Sequence, residues 1–413
     1  MKKILIFDDE ARAAARWKRD LEKLDAVSSE YEVVTIDVGS LHDALSELEE
    51  RRFNIREGKP INQALGNNLF DDSAIVIVDF DLLNSASLEY VTGEMVSYLA
   101  RGFSTCGVIV ALNQYGFNDF DLTLKGHPES FADMNIGGVQ IVNPGLWSEG
   151  WDGFRPWGWP LLPRMEKAFA VRIADIMDKL DASIFEHLGF PEEIAPILSR
   201  GISEFLDTGK KKTTVEQVTF REFATKSKNG YRGKDTLSDR PKYQIPDALL
   251  ARVAVARVSK WLERLVLQGQ DLLADAPHLA YRFPSLLEGD IHDISVWNRT
   301  ASLEQPNIRH QSITHHQFKK EEWLSRPAWW FLRMRNDEDI KEVASPWNTE
   351  RPGYVFCEDV SRFLPEAEAQ EFVADLESPF TRRYVVDPRT CTDPKLASDL
   401  KKINYRPEVR FSL

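Results

Sequence analysis

Short apolar runs alternate with helical patterns over the first third of the chain. The runs, each predicted to be a strand, are residues 3–7, 31–36, 74–78, 107–111 and 138–142. Amphipathic stretches at 11–24, 40–52 and 88–101 separate the earlier runs. Continuous apolar strands that alternate with helices are typical of a buried parallel sheet with crossover helices. The pattern therefore predicts an α/β fold with a doubly wound, five-stranded parallel sheet.

The remaining two thirds of the chain are less regular. A helical pattern covers 161–180, and a longer one covers 247–268, with Asp247 as its cap and Gly269 as a left-handed end. Short apolar runs at 354–357 and 384–386 predict strands. We expect three domains: residues 1–146 with the sheet, 147–245 with a Trp-rich junction, helices and a basic segment, and 246–413, mainly helical with short strands.

Composition narrows the class of protein. The chain has 413 residues, a net charge of −13 and three widely separated cysteines. No apolar stretch reaches the roughly 18 residues that a membrane helix needs, and the first residues do not resemble a signal peptide. We therefore expect a cytoplasmic protein without a membrane partner, and the cysteines indicate neither a disulfide framework nor a cysteine zinc site.

Acidic residues follow two of the predicted strands. Asp8 and Asp9 come directly after the first strand, and Asp79 comes directly after the third. Because the functional crevice of an open parallel sheet lies beyond the carboxyl ends of its strands, we expect these side chains to converge. Converging carboxylates repel one another unless a cation with a preference for oxygen ligands neutralises them. The sequence thus predicts a weak Mg2+ site.

This order of motifs resembles the receiver domain of bacterial response regulators over about residues 1–145. The resemblance implies that Asp8 and Asp9 are the acidic pair of an Mg2+ site. It also implies that Asp79 accepts a phosphoryl group from a histidine kinase, and that the backbone carbonyl of Asp81 joins the metal shell.

Two positions depart from the receiver pattern. Ala111 stands where receivers have Ser or Thr, and Asn143 stands where they have Lys. Alanine has no hydroxyl and asparagine has no positive charge, so neither can hold a phosphoryl oxygen as the receiver residues do. We therefore predict a degenerate receiver in a signalling or scaffold protein, with a protein partner encoded by a neighbouring gene. The apolar face of the 247–268 helix also suits a homodimer.

A second hypothesis is a nucleic-acid-directed effector. Residues 210–242 contain ten basic against four acidic residues, with interleaved aromatic side chains. Such surfaces combine phosphate contacts with base stacking, although a solvated loop or a basic docking face has the same composition. The candidate phosphate contacts are Lys210, Lys211, Lys212, Arg221, Lys226 and Lys228.

A third hypothesis is a metal-dependent hydrolase. Five of the eight histidines fall between residues 278 and 316, close in sequence to three carboxylates. Imidazoles with carboxylates suit Zn2+, Mn2+ or Fe2+, but polar surface histidines in an irregular segment have the same pattern. The residues are His278, His292, His310, His315 and His316, with Glu288, Asp290 and Asp293. These residues do not establish an enzymatic activity, and we expect a protein that is not an enzyme.

Overall fold

The structure is a computed structural model. It describes residues 1–59, 61, 66–82, 91–112, 130–138, 140–151, 154–206, 214–225, 245–340, 352–371 and 382–402. The chain forms two compact units. The first, here called the sheet unit, comprises Met1–Gln114, Pro128–Val142 and Met165–Val258. The second, the mixed unit, comprises Tyr115–His127, Asn143–Arg164 and Ser259–Leu413.

The sheet unit contains the predicted parallel sheet. Its strands are β1 (Lys2–Phe7), β2 (Tyr31–Ile36), β3 (Ser73–Asp79), β4 (Val108–Leu112) and β5 (Met134–Ile136). They lie in the order β2-β1-β3-β4-β5, and every pairing is parallel. The helices among them are α1 (Ala11–Leu21), α2 (Asp25–Ser28), α3 (Val38–Arg56) and α4 (Gly93–Phe103).

The central strands form because they are buried on both faces. All five residues of β4 are buried, and β3 is buried at each position except Ala74, which is half-buried. On one face, Val76, Val78 and Ala111 join a core that also contains residues of α3 and α4. The first four strands agree with the sequence prediction, and the two central ones, β3 and β4, have the continuous apolar runs of strands buried on both faces.

The fifth strand is not where the sequence pattern predicts it. The strand is Met134–Ile136, whereas the described residues of 138–142 form turns. Asp133 fixes this register, because its carboxylate accepts a hydrogen bond of 2.8 Å from the amide of Ile109 and pairs with buried Arg101. Beyond the strand, Gly138 lies against the ring of Trp17, where a Cβ would come within 2.5 Å of ring carbons.

Further helices lie wholly or mostly in the sheet unit. They are α5 (Leu162–Ile176), α6 (Ile184–Leu188), α7 (Arg200–Leu206), α8 (Phe220–Ala224) and α9 (Asp247–Trp261). Glu166 of α5 pairs with Lys2 of β1, and the guanidinium of Arg101 lies 4.6 Å from the ring centroid of Phe169. The helix predicted at 247–268 changes at Trp261 into a π-helical turn, Leu262–Val266. The left-handed residue after it is Gln270, not the predicted Gly269.

The mixed unit has short strands among short helices, as the sequence predicts. Strands β6 (Leu273–Asp275) and β7 (Ala328–Trp330) form one antiparallel pair. A second sheet contains β8 (Tyr354–Cys357), β9 (Arg362–Pro365), β10 (Ala369–Glu371) and β11 (Tyr384–Val386), in the order β10-β11-β8-β9. The helices are α10 (Ala276–Arg282), α11 (Ile294–Asn298), α12 (His310–Ile313), α13 (Phe331–Arg335) and α14 (Pro394–Lys402).

Among the described residues of both units, no helix is long and apolar enough to cross a bilayer.

The first residue of α4, Gly93, is tightly packed against the end of β3. A Cβ on Gly93 would lie 2.4 Å from the backbone oxygen of Asp79, whereas a Cβ on Gly102 of the same helix meets nothing within 4 Å. We expect Gly93→Ala to destabilise the protein by about 1–3 kcal/mol through overpacking. The control Gly102→Ala should stabilise it by about 0.4–1 kcal/mol, because the unfolded chain loses conformational freedom. Urea unfolding of both variants measures the difference, and equal stabilities would contradict the predicted packing.

Candidate functional site

Three carboxylates converge at the carboxyl ends of β1 and β3. Asp8 directly follows β1, Asp79 is the last residue of β3, and Phe7 is in register with Val78. One carboxylate oxygen from each of Asp8, Asp9 and Asp79 lies within 4.8 Å of the others. In the strand order 2-1-3-4-5, the boundary between β1 and β3 is where the chain direction around the sheet reverses, which is the usual ligand position in such sheets. The predicted convergence of these three residues is present.

Neutral donors hold Asp8 in place. Its Oδ1 accepts a hydrogen bond of 2.9 Å from the amide of Glu10, and its Oδ2 accepts one of 3.4 Å from the indole nitrogen of Trp17. Asp8 and Asp79 are each 3% exposed, whereas Asp9 is half-buried. One end of the cluster is therefore covered by protein, and Asp9 keeps it open to solvent.

The electrostatics of the cluster oppose full ionisation. Burial raises the pKa of Asp8, and the charges of Asp9 and Glu10 raise it further, while the amide of Glu10 and the indole of Trp17 act in the opposite direction. Burial also raises the pKa of Asp9, together with the charges of Glu10 and Asp81. Each raised pKa means that the folded protein resists the negative charge. A divalent cation that prefers oxygen ligands offsets this repulsion, so the donor set fits Mg2+.

Backbone contacts position the end of β3. The amide of Gly93 donates a hydrogen bond of 3.0 Å to the carbonyl of Phe80, and the amide of Phe80 donates one of 2.9 Å to the carbonyl of Leu112. The hydroxyl of Thr92 caps α4 by accepting from the amide of Met95. As a result, the first turn of α4 lies directly against the strand end that carries Asp79.

The two departures from the receiver pattern have different placements. Ala111 is opposite Val78 in the sheet, and its side chain belongs to the core. Leu112, the residue in register with Asp79, is also buried and apolar. The predicted fifth strand, 138–142, would place Asn143 directly after it. In the structure β5 ends at Ile136, and Asn143 lies in the mixed unit. It caps the 3-10 turn Pro144–Leu146 by accepting from the amide of Gly145, and its amide nitrogen donates to the carbonyl of Phe154.

Most of the basic segment lies outside the described residues, including Lys210, Lys211, Lys212, Lys226 and Lys228. Arg221 is described at the start of α8. Its guanidinium pairs with Asp181 at 2.7 Å and with Asp247 at 2.8 Å, and these two hydrogen-bonded carboxylates raise its pKa. Arg221 therefore joins elements of its own unit, and nucleic-acid binding by the segment stays a prediction.

The clustered histidines separate into different environments. His278 is buried, with Nδ1 at 2.6 Å from Asp275 Oδ1 and Nε2 at 3.4 Å from Glu358 Oε1. Burial lowers its pKa, but the charges and hydrogen bonds of Asp275 and Glu358 more than offset this, so the pKa of His278 is raised. Asp275 also accepts from Trp157 at 2.8 Å and Arg326 at 2.9 Å. His278 is thus paired with two carboxylates of its own unit.

The carboxylates that the sequence places beside these histidines have local roles. Asp290 accepts from the amide of His292, and Asp293 caps α11 by accepting from the amide and hydroxyl of Ser295. His315 and His316 instead lie with Asp337. For the described side chains of His278, His315 and His316, the carboxylate partners are Asp275, Glu358 and Asp337 instead of Asp290 and Asp293. The His310 side chain lies outside the described part of the chain.

Comparisons with protein-family models, with curated proteins and with solved structures find no match for this chain.

The acidic cluster predicts a response to Mg2+ that depends on Asp79. Occupancy at tenfold excess over the dissociation constant should stabilise the folded protein by about 1.4 kcal/mol. We expect Asp79→Asn to weaken Mg2+ binding at least tenfold. The neutral amide removes an anionic ligand and lowers the negative charge of the cluster. Isothermal titration and thermal unfolding with millimolar Mg2+ measure both effects.

A matched control is Asp43→Asn, which makes the same change of charge on a carboxylate that is 90% exposed. It should leave Mg2+ affinity unchanged. No response of the unaltered protein to millimolar Mg2+, or equal responses of the Asp79→Asn and unaltered proteins, would refute the site.

Proposed function

We propose that the sheet unit is a receiver-like module that binds Mg2+ and docks a protein partner in a signalling or scaffold protein. In this proposal phosphorylation of Asp79 is not the switch. The observation that carries it is the convergence of Asp8, Asp9 and Asp79 at the reversal point of a 2-1-3-4-5 parallel sheet. The five-stranded parallel sheet is compatible with a receiver-like fold, and this compatibility and the acidic cluster support the proposal.

The docking face proposed for the partner lies on α4. Met95 is 48% exposed and Tyr98 is 36% exposed, and their spacing of three residues places them on one side of the helix. The ring of Tyr98 packs edge-on against Phe131 and Phe103, with centroids 5.0 and 5.8 Å away. Aromatic residues and methionine are enriched at protein interfaces. A rigid aromatic side chain beside an exposed methionine therefore supports protein docking.

The same helix connects this face with the ion site. Gly93, at the start of α4, lies against the backbone of Asp79 and Phe80. An ion that draws the three carboxylates together acts on the strand end against which α4 is packed. The proposed module thus adjusts its docking face through Mg2+ occupancy.

The two residues that depart from the receiver pattern, and Leu112 in register with Asp79, give little basis for a phosphorylation switch. Ala111 and Leu112 have no hydroxyl, and Asn143 has no positive charge. A hydrogen bond to a charged group is worth about 1.5–3 kcal/mol, so each absent partner removes energy that would distinguish the phosphorylated state. A modification that has the same interaction energy in two conformations does not shift the equilibrium between them.

Hydrogen exchange of the α4 amides tests the proposal. Mg2+ should slow exchange in the first turn of α4, and further addition of the phosphoryl mimic beryllofluoride should produce no additional change in exchange or oligomeric state. The Asp79→Asn variant should lose the Mg2+ effect. If beryllofluoride altered α4 exchange beyond Mg2+ alone, and Asp79→Asn abolished that change, the protein would be a working phosphorylation switch.

A further inference from the structure

A second group of potential metal ligands lies in the mixed unit. Nε2 of His316 is 2.7 Å and Nε2 of His315 is 3.2 Å from the same carboxylate oxygen, Oδ2 of Asp337. All three ligand atoms lie within 4.8 Å of one another. The two imidazole rings are tilted at 44° to each other, with centroids 3.8 Å apart. Both rings therefore direct Nε2 to the same oxygen of Asp337.

The backbone holds these side chains in position. The histidines end the 3-10 turn Thr314–His316, and the next residue, Gln317, forms an antiparallel bridge with Trp329 of β7. The amide of Phe318 donates to the carbonyl of Ala328 at 2.9 Å. The histidine turn is thus tied to the strand that leads into α13, the helix that precedes Asp337.

Asp337 is oriented by its own turn. Its amide donates to the carbonyl of Met334 at 3.1 Å, and its Oδ1 accepts from the amide of Asp339 at 3.0 Å. Because Oδ1 is held by this backbone amide, Oδ2 is the oxygen that faces the imidazoles. An anchored carboxylate of this kind is typical of metal sites, where secondary contacts orient the ligands.

We propose that His315, His316 and Asp337 bind one first-row transition-metal ion, with Zn2+ as the representative ion. Two imidazole nitrogens and a carboxylate oxygen are ligands that Zn2+ prefers, at about 2.0–2.2 Å each. Ligands at these lengths around a tetrahedral ion lie about 3.3 Å apart. The contact from His315 to Asp337, at 3.2 Å, has this spacing, and the one from His316 needs to lengthen by only about half an ångström.

The burial of the ligands indicates the type of site. His316 is 9% exposed and Asp337 is 17% exposed, whereas His315 is 62% exposed. Three protein ligands with one side facing solvent leave a coordination position for water, as in open zinc sites rather than closed structural ones. This ligand set also differs from the acidic cluster of the sheet unit, whose three oxygen ligands favour Mg2+. The two sites should therefore select different ions.

Zinc binding by the full chain tests the proposal. The unaltered protein should bind one Zn2+ at this site in competition with a chromophoric chelator, and Co2+ should give the visible absorption bands of a low-symmetry site. His315→Ala should weaken binding at least tenfold, and because His315 is exposed this variant should remain folded by circular dichroism. His316→Ala and Asp337→Asn should weaken binding to a similar or greater extent.

Two matched controls distinguish this site from other carboxylates and histidines. His42 is 61% exposed, and its Nδ1 lies 3.7 Å from Oδ1 of Asp43. His42→Ala therefore removes an exposed histidine that has a carboxylate neighbour, but no histidine adjacent to it in the sequence. This variant and Asp43→Asn should bind Zn2+ with unchanged affinity, because neither residue belongs to a ligand cluster among the described residues. Undetectable Zn2+ binding by the unaltered protein, or equal affinities for the unaltered, His315→Ala and Asp337→Asn proteins, would overturn the proposal.

Discussion

The sheet unit has to accommodate repulsion among the carboxylates at the ends of its buried strands. Asp8 and Asp79 are each 3% exposed, and Asp9 lies beside them. Charges so close together in a partly buried site destabilise the ionised fold. Trp17 and the amide of Glu10 compensate for part of this cost by donating hydrogen bonds to Asp8. A bound cation would reduce this repulsion and so stabilise the folded protein.

The surroundings of the cluster are consistent with ion binding as its main chemistry. Glycine at position 93 allows the start of α4 to contact the backbone at Asp79, so a change at the strand end reaches the helix directly. Ala111 and Leu112 line the end of the neighbouring strand with apolar groups. The local structure therefore supports a connection between the acidic cluster and α4 through packing, and the described end of β4 offers no hydroxyl to a phosphoryl group.

The sequence predicts those features that depend on local pattern. Four strands have mainly apolar sequences, and the position of Asp79 at a strand end follows from its place after a continuous apolar run. The fifth strand has only three residues, and the pairing of Arg101 with Asp133 at its start joins residues far apart in sequence. The described residues of the apolar run after it, 138–142, form turns. Likewise, no local pattern indicates that Asp337 approaches His315 and His316, because the contact depends on the strand pairing between them.

The most direct measurement of the central claim is a carboxyl-carbon NMR titration of aspartates, with the signals of Asp8 and Asp9 assigned by Asp→Asn variants. Without Mg2+, both residues should titrate above their ordinary value of 3.8, because burial and neighbouring carboxylates raise each pKa. Saturating Mg2+ should lower both pKa values, because a bound cation favours the ionised form. Ordinary or depressed pKa values that do not respond to Mg2+ would contradict the account of a repulsive cluster that a cation stabilises.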